Sequence, residues 1–124
     1  MINNYFELDG FQDIYLEDSF VIGIQETESS IRFDCDFVIL ENHKLYTIPE
    51  VGEQYCYRNG YIEFTNITIL DWIKRDEVVF SNDCYDNDYG NIDIFYLDNE
   101  TYHLQGDWGE VIIRAKLVEL VIVG

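Results

Sequence analysis

Apolar and polar residues alternate with a period of two through much of this chain. In residues 31–39, Ile31, Phe33, Cys35, Phe37 and Ile39 fall on one side and Arg32, Asp34 and Asp36 on the other. That alternation predicts a half-buried strand with Cys35 inside. Phe20-Val21-Ile22-Gly23-Ile24 reads as the strand before it, and the polar residues 25–30 supply the turn of a hairpin. Tyr55-Cys56-Tyr57-Arg58 and Tyr61-Ile62-Glu63-Phe64 flank Asn59-Gly60, a dipeptide suited to the positive φ angles of a type I′ turn, so a second hairpin is predicted there. A third joins residues 92–97 to 101–105 across Asp98-Asn99-Glu100. Residues 111–115 and 117–123 are rich in β-branched side chains and read as strands, although residues 110–122 can also be drawn as a helix. In residues 67–75, Ile69, Trp72 and Ile73 have helical spacing, but Asn66-Ile67-Thr68-Ile69 favours a strand, with any helix confined to a turn at residues 72–75.

Short strands separated by turn signals every eight to twelve residues or so indicate an all-β fold. The expected architecture is an antiparallel β-sandwich, with a partly open β-barrel as the alternative. The chain has 124 residues, one proline and no Gly/Ser-rich linker, so residues 1–124 are expected to form one domain.

Composition adds a strong charge. There are 25 Asp and Glu against 7 Lys and Arg, a formal net charge of −18 at pH 7. Such a field repels anionic surfaces and attracts cationic ones. Nucleic acid and anionic membrane are poor partners, because phosphate recognition needs clustered basic residues and Lys74-Arg75 is the only adjacent basic pair. No run approaches the ~18 apolar residues of a membrane span, and Cys35, Cys56 and Cys84 lack CxxC spacing. With no export signal at the start, a reduced, cytoplasmic protein is expected.

From Asn59-Gly60 onward several short patterns recur together. They are Asn59-Gly60-x-Ile62-x-Phe64-x-Asn66-Ile67, Trp72, Asp88-Tyr89-Gly90-Asn91-Ile92-Asp93 and Tyr102-x-Leu104-x-Gly106-Asp107-Trp108-Gly109. With Leu16-Glu17-Asp18-Ser19-Phe20 and His43-Lys44-Leu45-Tyr46, the chain resembles a group of small, acidic, β-rich bacterial proteins of uncharacterised role. Some small acidic proteins of that kind act as immunity partners of secreted toxins, so the resemblance implies a β-rich fold and a toxin as one class of partner.

The most acidic segment is Asp83-Cys84-Tyr85-Asp86-Asn87-Asp88-Tyr89-Gly90. Alternating Asp and Asn suit Ca²⁺, but the EF-hand spacing fails: with Gly90 at the obligatory glycine, Tyr85, Tyr89 and Tyr96 occupy ligand positions. A solvated loop held by local turn bonds is the simpler reading, and no cofactor or metal is assigned. Gly106-Asp107-Trp108-Gly109 is read either as a tight turn with Trp108 capping the core or as an exposed anchor for a partner or a sugar ring. Cys84 with His103, and a zinc set of Cys35, Cys56 and His43, rest on no motif; a carboxylate pair is uninformative among so many acids. No nucleophile elbow, phosphate loop or HExxH is present, so the chain is not expected to be an enzyme.

The leading expectation is a non-enzymatic binding protein for a basic protein partner, contacting it through Asp83, Tyr85, Asp86, Asp88, Tyr89 and Trp108. Alternatives are a carbohydrate or small-ligand module using Trp108, a mimic of DNA with carboxylates spaced like phosphates, and a structural homo-oligomer paired through its apolar C-terminal strand.

Overall fold

The computed structural model describes residues 2–75 and 89–123. They form strands β1 (Ile2–Asn4), β2 (Ile14–Glu26), β3 (Ser30–Ile39), β4 (Cys56–Arg75), β5 (Ile92–Asp98), β6 (Thr101–Gly106) and β7 (Gly109–Ile122), with a single 3₁₀ turn at Tyr5–Glu7. The protein is all-β and antiparallel, in one hydrogen-bonded sheet of order β1-β5-β6-β7-β4-β3-β2.

Two long strands give the sheet its shape. The first half of β4 lies between β3 and the second half of β7; its second half pairs with the first half of β7, which in turn pairs with β6. At the changeover Asn66 takes a left-handed φ of 55°, and a bulge between Ile67 and Ile69 bends the strand. The sheet thereby folds over itself, facing β2–β3–β4 towards β5–β6–β7 as the halves of a sandwich do. The β2 edge also comes up against β5, as in a partly open barrel. Tyr89 N–H donates to the Val21 carbonyl and Val21 N–H to that of Gly90, each at 2.8 Å, so the approach to β5 covers the outer edge of β2.

Aromatic side chains knit the halves together. Phe33 on β3 touches Trp108 and Phe64, with ring centroids 5.1 and 6.3 Å apart. Phe64 meets Tyr102 at 5.1 Å and Phe95 at 6.0 Å. These rings supply much of the apolar area of a core that also buries Leu16, Val21, Ile62, Leu104 and Ile113.

The alternation of residues 31–39 holds: Ile31, Phe33, Cys35, Phe37 and Ile39 are buried, and Arg32, Asp34 and Asp36 reach the surface. The β2–β3 and β5–β6 hairpins also form, the latter with Asn99 at a φ of 59° in its turn. Residues 67–75 and 109–122 are strand throughout, with no helical turn.

One predicted hairpin is absent. Asn59-Gly60 does not turn: β4 runs straight through it, with Asn59 opposite Asp36 and Gly60 between Cys35 and Ile122. Gly60 is required by close approach instead, since a Cβ there would lie 2.1 Å from the Val121 carbonyl oxygen.

Candidate functional site

Continuity of β4 changes which residues share a surface. Outward positions repeat every second residue through Tyr57, Asn59, Tyr61 and Glu63, while Cys56, Ile62 and Phe64 point into the core. Tyr55, just before the strand, extends this row. Alongside it β3 presents Arg32, Asp34 and Asp36, and β2 contributes Phe20, opposite Asp36, with Asp18 in an irregular stretch beside it. The outer face of β2, β3 and β4 is therefore a field of rings and carboxylates.

Its geometry is well defined. Phe20 and Tyr57 stack with centroids 6.1 Å apart and planes 25° from parallel, and Tyr55 meets Tyr57 edge-on at 6.1 Å. The Tyr55 hydroxyl donates to Asp18 Oδ2 at 2.7 Å. At the other end the Arg32 guanidinium carbon sits 3.7 Å above the centre of the Tyr61 ring, while Arg32 Nε donates to Asp34 Oδ1 at 3.0 Å.

Electrostatics set the two ends apart. Burial first, and then the charge of Glu53, raise Asp36 above the usual carboxylate range. The Tyr57 hydroxyl is likewise raised, by burial and then by the fields of Glu53, Asp36 and Asp18. Tyr55 is raised chiefly by its hydrogen bond to Asp18. The nearby Arg58 turns its guanidinium to the Tyr57 and Leu45 carbonyls and the Thr47 hydroxyl rather than to these acids. At the Tyr57 end the three acids act together on the Tyr57 hydroxyl, and among the described residues no cation offsets them there.

A raised carboxylate binds protons more tightly folded than unfolded, so stability falls as pH rises through its folded value and is fullest below the unfolded value of about 3.9. Denaturant midpoints should therefore rise as pH is lowered through the folded value of Asp36 towards the unfolded value of about 3.9, and Asp36→Asn should flatten that slope. A wild-type midpoint that falls over this interval would contradict the acid cluster described here.

Of the residues expected to contact a partner, Asp83, Tyr85, Asp86 and Asp88 lie outside the described residues. Tyr89 is half-buried, its backbone bonded to Val21 and its ring packed against the core. Trp108 must be corrected: it is fully buried, in contact with Phe33 and Trp72, and its indole N–H donates to the Asn91 carbonyl at 3.0 Å. It is a core residue at the β6–β7 turn and presents no ring to a partner or a sugar.

Candidate catalytic groups are also placed. Cys35 and Cys56 are buried, and burial pushes the Cys35 thiol far above its usual range, which keeps it protonated and inert. His43 Nδ1 accepts a hydrogen bond from Leu45 N–H, and His103 is half-exposed, stacked on Tyr96 with centroids 4.7 Å apart. Cys84 lies outside the described residues. Among the described residues no three His, Cys, Asp or Glu side chains group as a metal site, and no helix is long and apolar enough to cross a membrane. No protein-family model, curated protein or solved structure matches the chain.

The sequence reading missed Tyr55, Tyr57, Tyr61, Phe20, Asp18, Asp36 and Glu53 as a group. Their signal was the period-two row from Tyr55 to Glu63, which breaks if Asn59-Gly60 is taken as a turn.

Proposed function

We propose that this protein is a non-enzymatic binding protein that engages a basic protein partner through the outer face of β2, β3 and β4. One observation carries the reading. Arg32 already rests on this face by the two interactions a partner's basic side chain would use, a ring beneath its guanidinium and a carboxylate beside it. The Tyr57 end repeats those elements, with Phe20 and Tyr57 as rings and Asp36, Glu53 and Asp18 as acids. A lysine or arginine there would offset the charge of Glu53, which adds to burial in raising Asp36.

Each such contact is modest. A cation over an aromatic ring contributes about 0.5–1 kcal/mol when exposed and about 2 when desolvated, and an exposed ion pair less than about 1. Useful affinity therefore needs several contacts across a shared face, with the net charge of −18 adding long-range attraction that speeds association. The resemblance to small acidic immunity-type proteins makes a secreted toxin the first partner class to seek.

Affinity capture from the native host tests this reading. Wild-type protein should recover a basic protein, more at low salt than at moderate salt. The double variant Tyr57→Ala/Asp36→Asn should recover at least about tenfold less, a loss of about 1.4 kcal/mol. Failure to recover any basic protein at low salt would overturn it.

A further inference from the structure

A second surface, on the far side of β4, carries an inference independent of the first. Among the described residues, β6 pairs with β7 only over its first half, so residues 115–122 hydrogen-bond to β4 on one side and to no strand on the other. This edge is flanked by two open clefts. One of about 710 Å³ lies beside Lys116, bounded across the gap by Leu97 and Tyr102; the other, of about 690 Å³, lies beside Leu120 and Ile122. A bare strand edge offers backbone donors and acceptors to any extended chain.

Register and charge indicate what would fit. Val118, Leu120 and Ile122 point inward and pack against the core, whereas Leu117 and Glu119 are exposed on the outer face. Glu119 lies directly opposite Glu63 on β4, and like charges so placed repel. Arg32 pairs across from Glu63 on its other side, but its Nε is engaged with Asp34. Lys116 has the parity of the inward set. The centre of the open edge therefore carries Glu119, backed by Glu63 on the adjacent strand β4, with no cation of β7 beside Glu119 on that face.

We infer that the edge of β7 at residues 115–122 accepts an extended segment of a partner protein as an added strand, with a Lys or Arg of that segment placed beside Glu119. Its inward side chains would be apolar, continuing the row of Val118, Leu120 and Ile122. A second copy of this chain is the poorer occupant. Antiparallel pairing about Glu119 would align Glu63, Glu119 and their two symmetry mates in one row of four carboxylates.

The test uses the intact protein and two synthetic peptides of alternating valine and polar residues, identical except for a central Lys or Glu. Amide hydrogen exchange should show residues 115–122 protected by the Lys peptide at millimolar concentration. The Glu peptide should bind about tenfold more weakly, and Glu119→Lys should invert the preference. Tyr57→Ala should leave both results unchanged, separating this edge from the outer face. The inference is overturned if the Lys peptide leaves residues 115–122 unprotected, if the two peptides bind alike, or if Glu119→Lys leaves their order unchanged. Protection that grows with protein concentration alone would also overturn it, by assigning the edge to a second copy.

Discussion

Trp108→Ala should cost about 3–5 kcal/mol of folding stability, among the largest effects of any single substitution in the chain. The indole is fully buried, touches Phe33 and Trp72, and donates its N–H to the Asn91 carbonyl, so truncation leaves both a cavity and an unpaired acceptor. Trp108→Phe keeps much of the apolar volume but loses the hydrogen bond, and should cost less, about 1–3 kcal/mol. Denaturant titration with circular dichroism as the readout would measure both. A loss below about 1 kcal/mol for the alanine variant would place Trp108 on the surface after all.

Gly60→Val should be comparably damaging, costing about 3 kcal/mol or more. Any side chain at this position meets the Val121 carbonyl oxygen at 2.1 Å, and the Ile122 Cα and the Phe37 ring each at 3.0 Å. β7 cannot withdraw without giving up its pairing to β4 from Gly60 to Thr65. The neighbouring Asn59 is exposed, so Asn59→Val should be nearly neutral. In a type I′ hairpin turn the two substitutions would be similarly harmful, because both positions would need positive φ. The contrast between the pair, measured as a difference in denaturant midpoints, therefore decides whether β4 is continuous.

That distinction marks where the sequence was legible. Alternation in residues 31–39 placed Ile31, Phe33, Cys35, Phe37 and Ile39 inside and Arg32, Asp34 and Asp36 outside correctly, because a strand with one wet face has only one register that buries its apolar set. Val38, on the outward parity, is buried as well. Asn99 turned where expected because the strands on either side of it alternate cleanly and end there. Asn59-Gly60 misled because a glycine needed for close approach and a glycine needed for positive φ look identical in one dimension. Only the pairing of Gly60 with Ile122, some sixty residues away, tells them apart. The candidate face was hidden for the same reason. Tyr55 and Tyr57 line up with Tyr61 and Glu63 only on an unbroken strand, and Asp18, Asp36 and Glu53 join them through tertiary packing. Trp108 illustrates a different limit: a Trp beside glycines fits a binding anchor or a core cap equally well until its burial is known.

The central claim is that a cation finds its place at the Tyr57 end of the outer face, between rings and carboxylates. Titrating the protein with a short arginine-rich peptide, and following side-chain NMR resonances, tests it most directly. The ring signals of Phe20, Tyr55 and Tyr57 and the carboxyl of Asp36 should move together and saturate, while those of Tyr96 and His103 stay in place. Movement spread evenly over every surface carboxylate, with the Tyr57 ring unaffected, would contradict it.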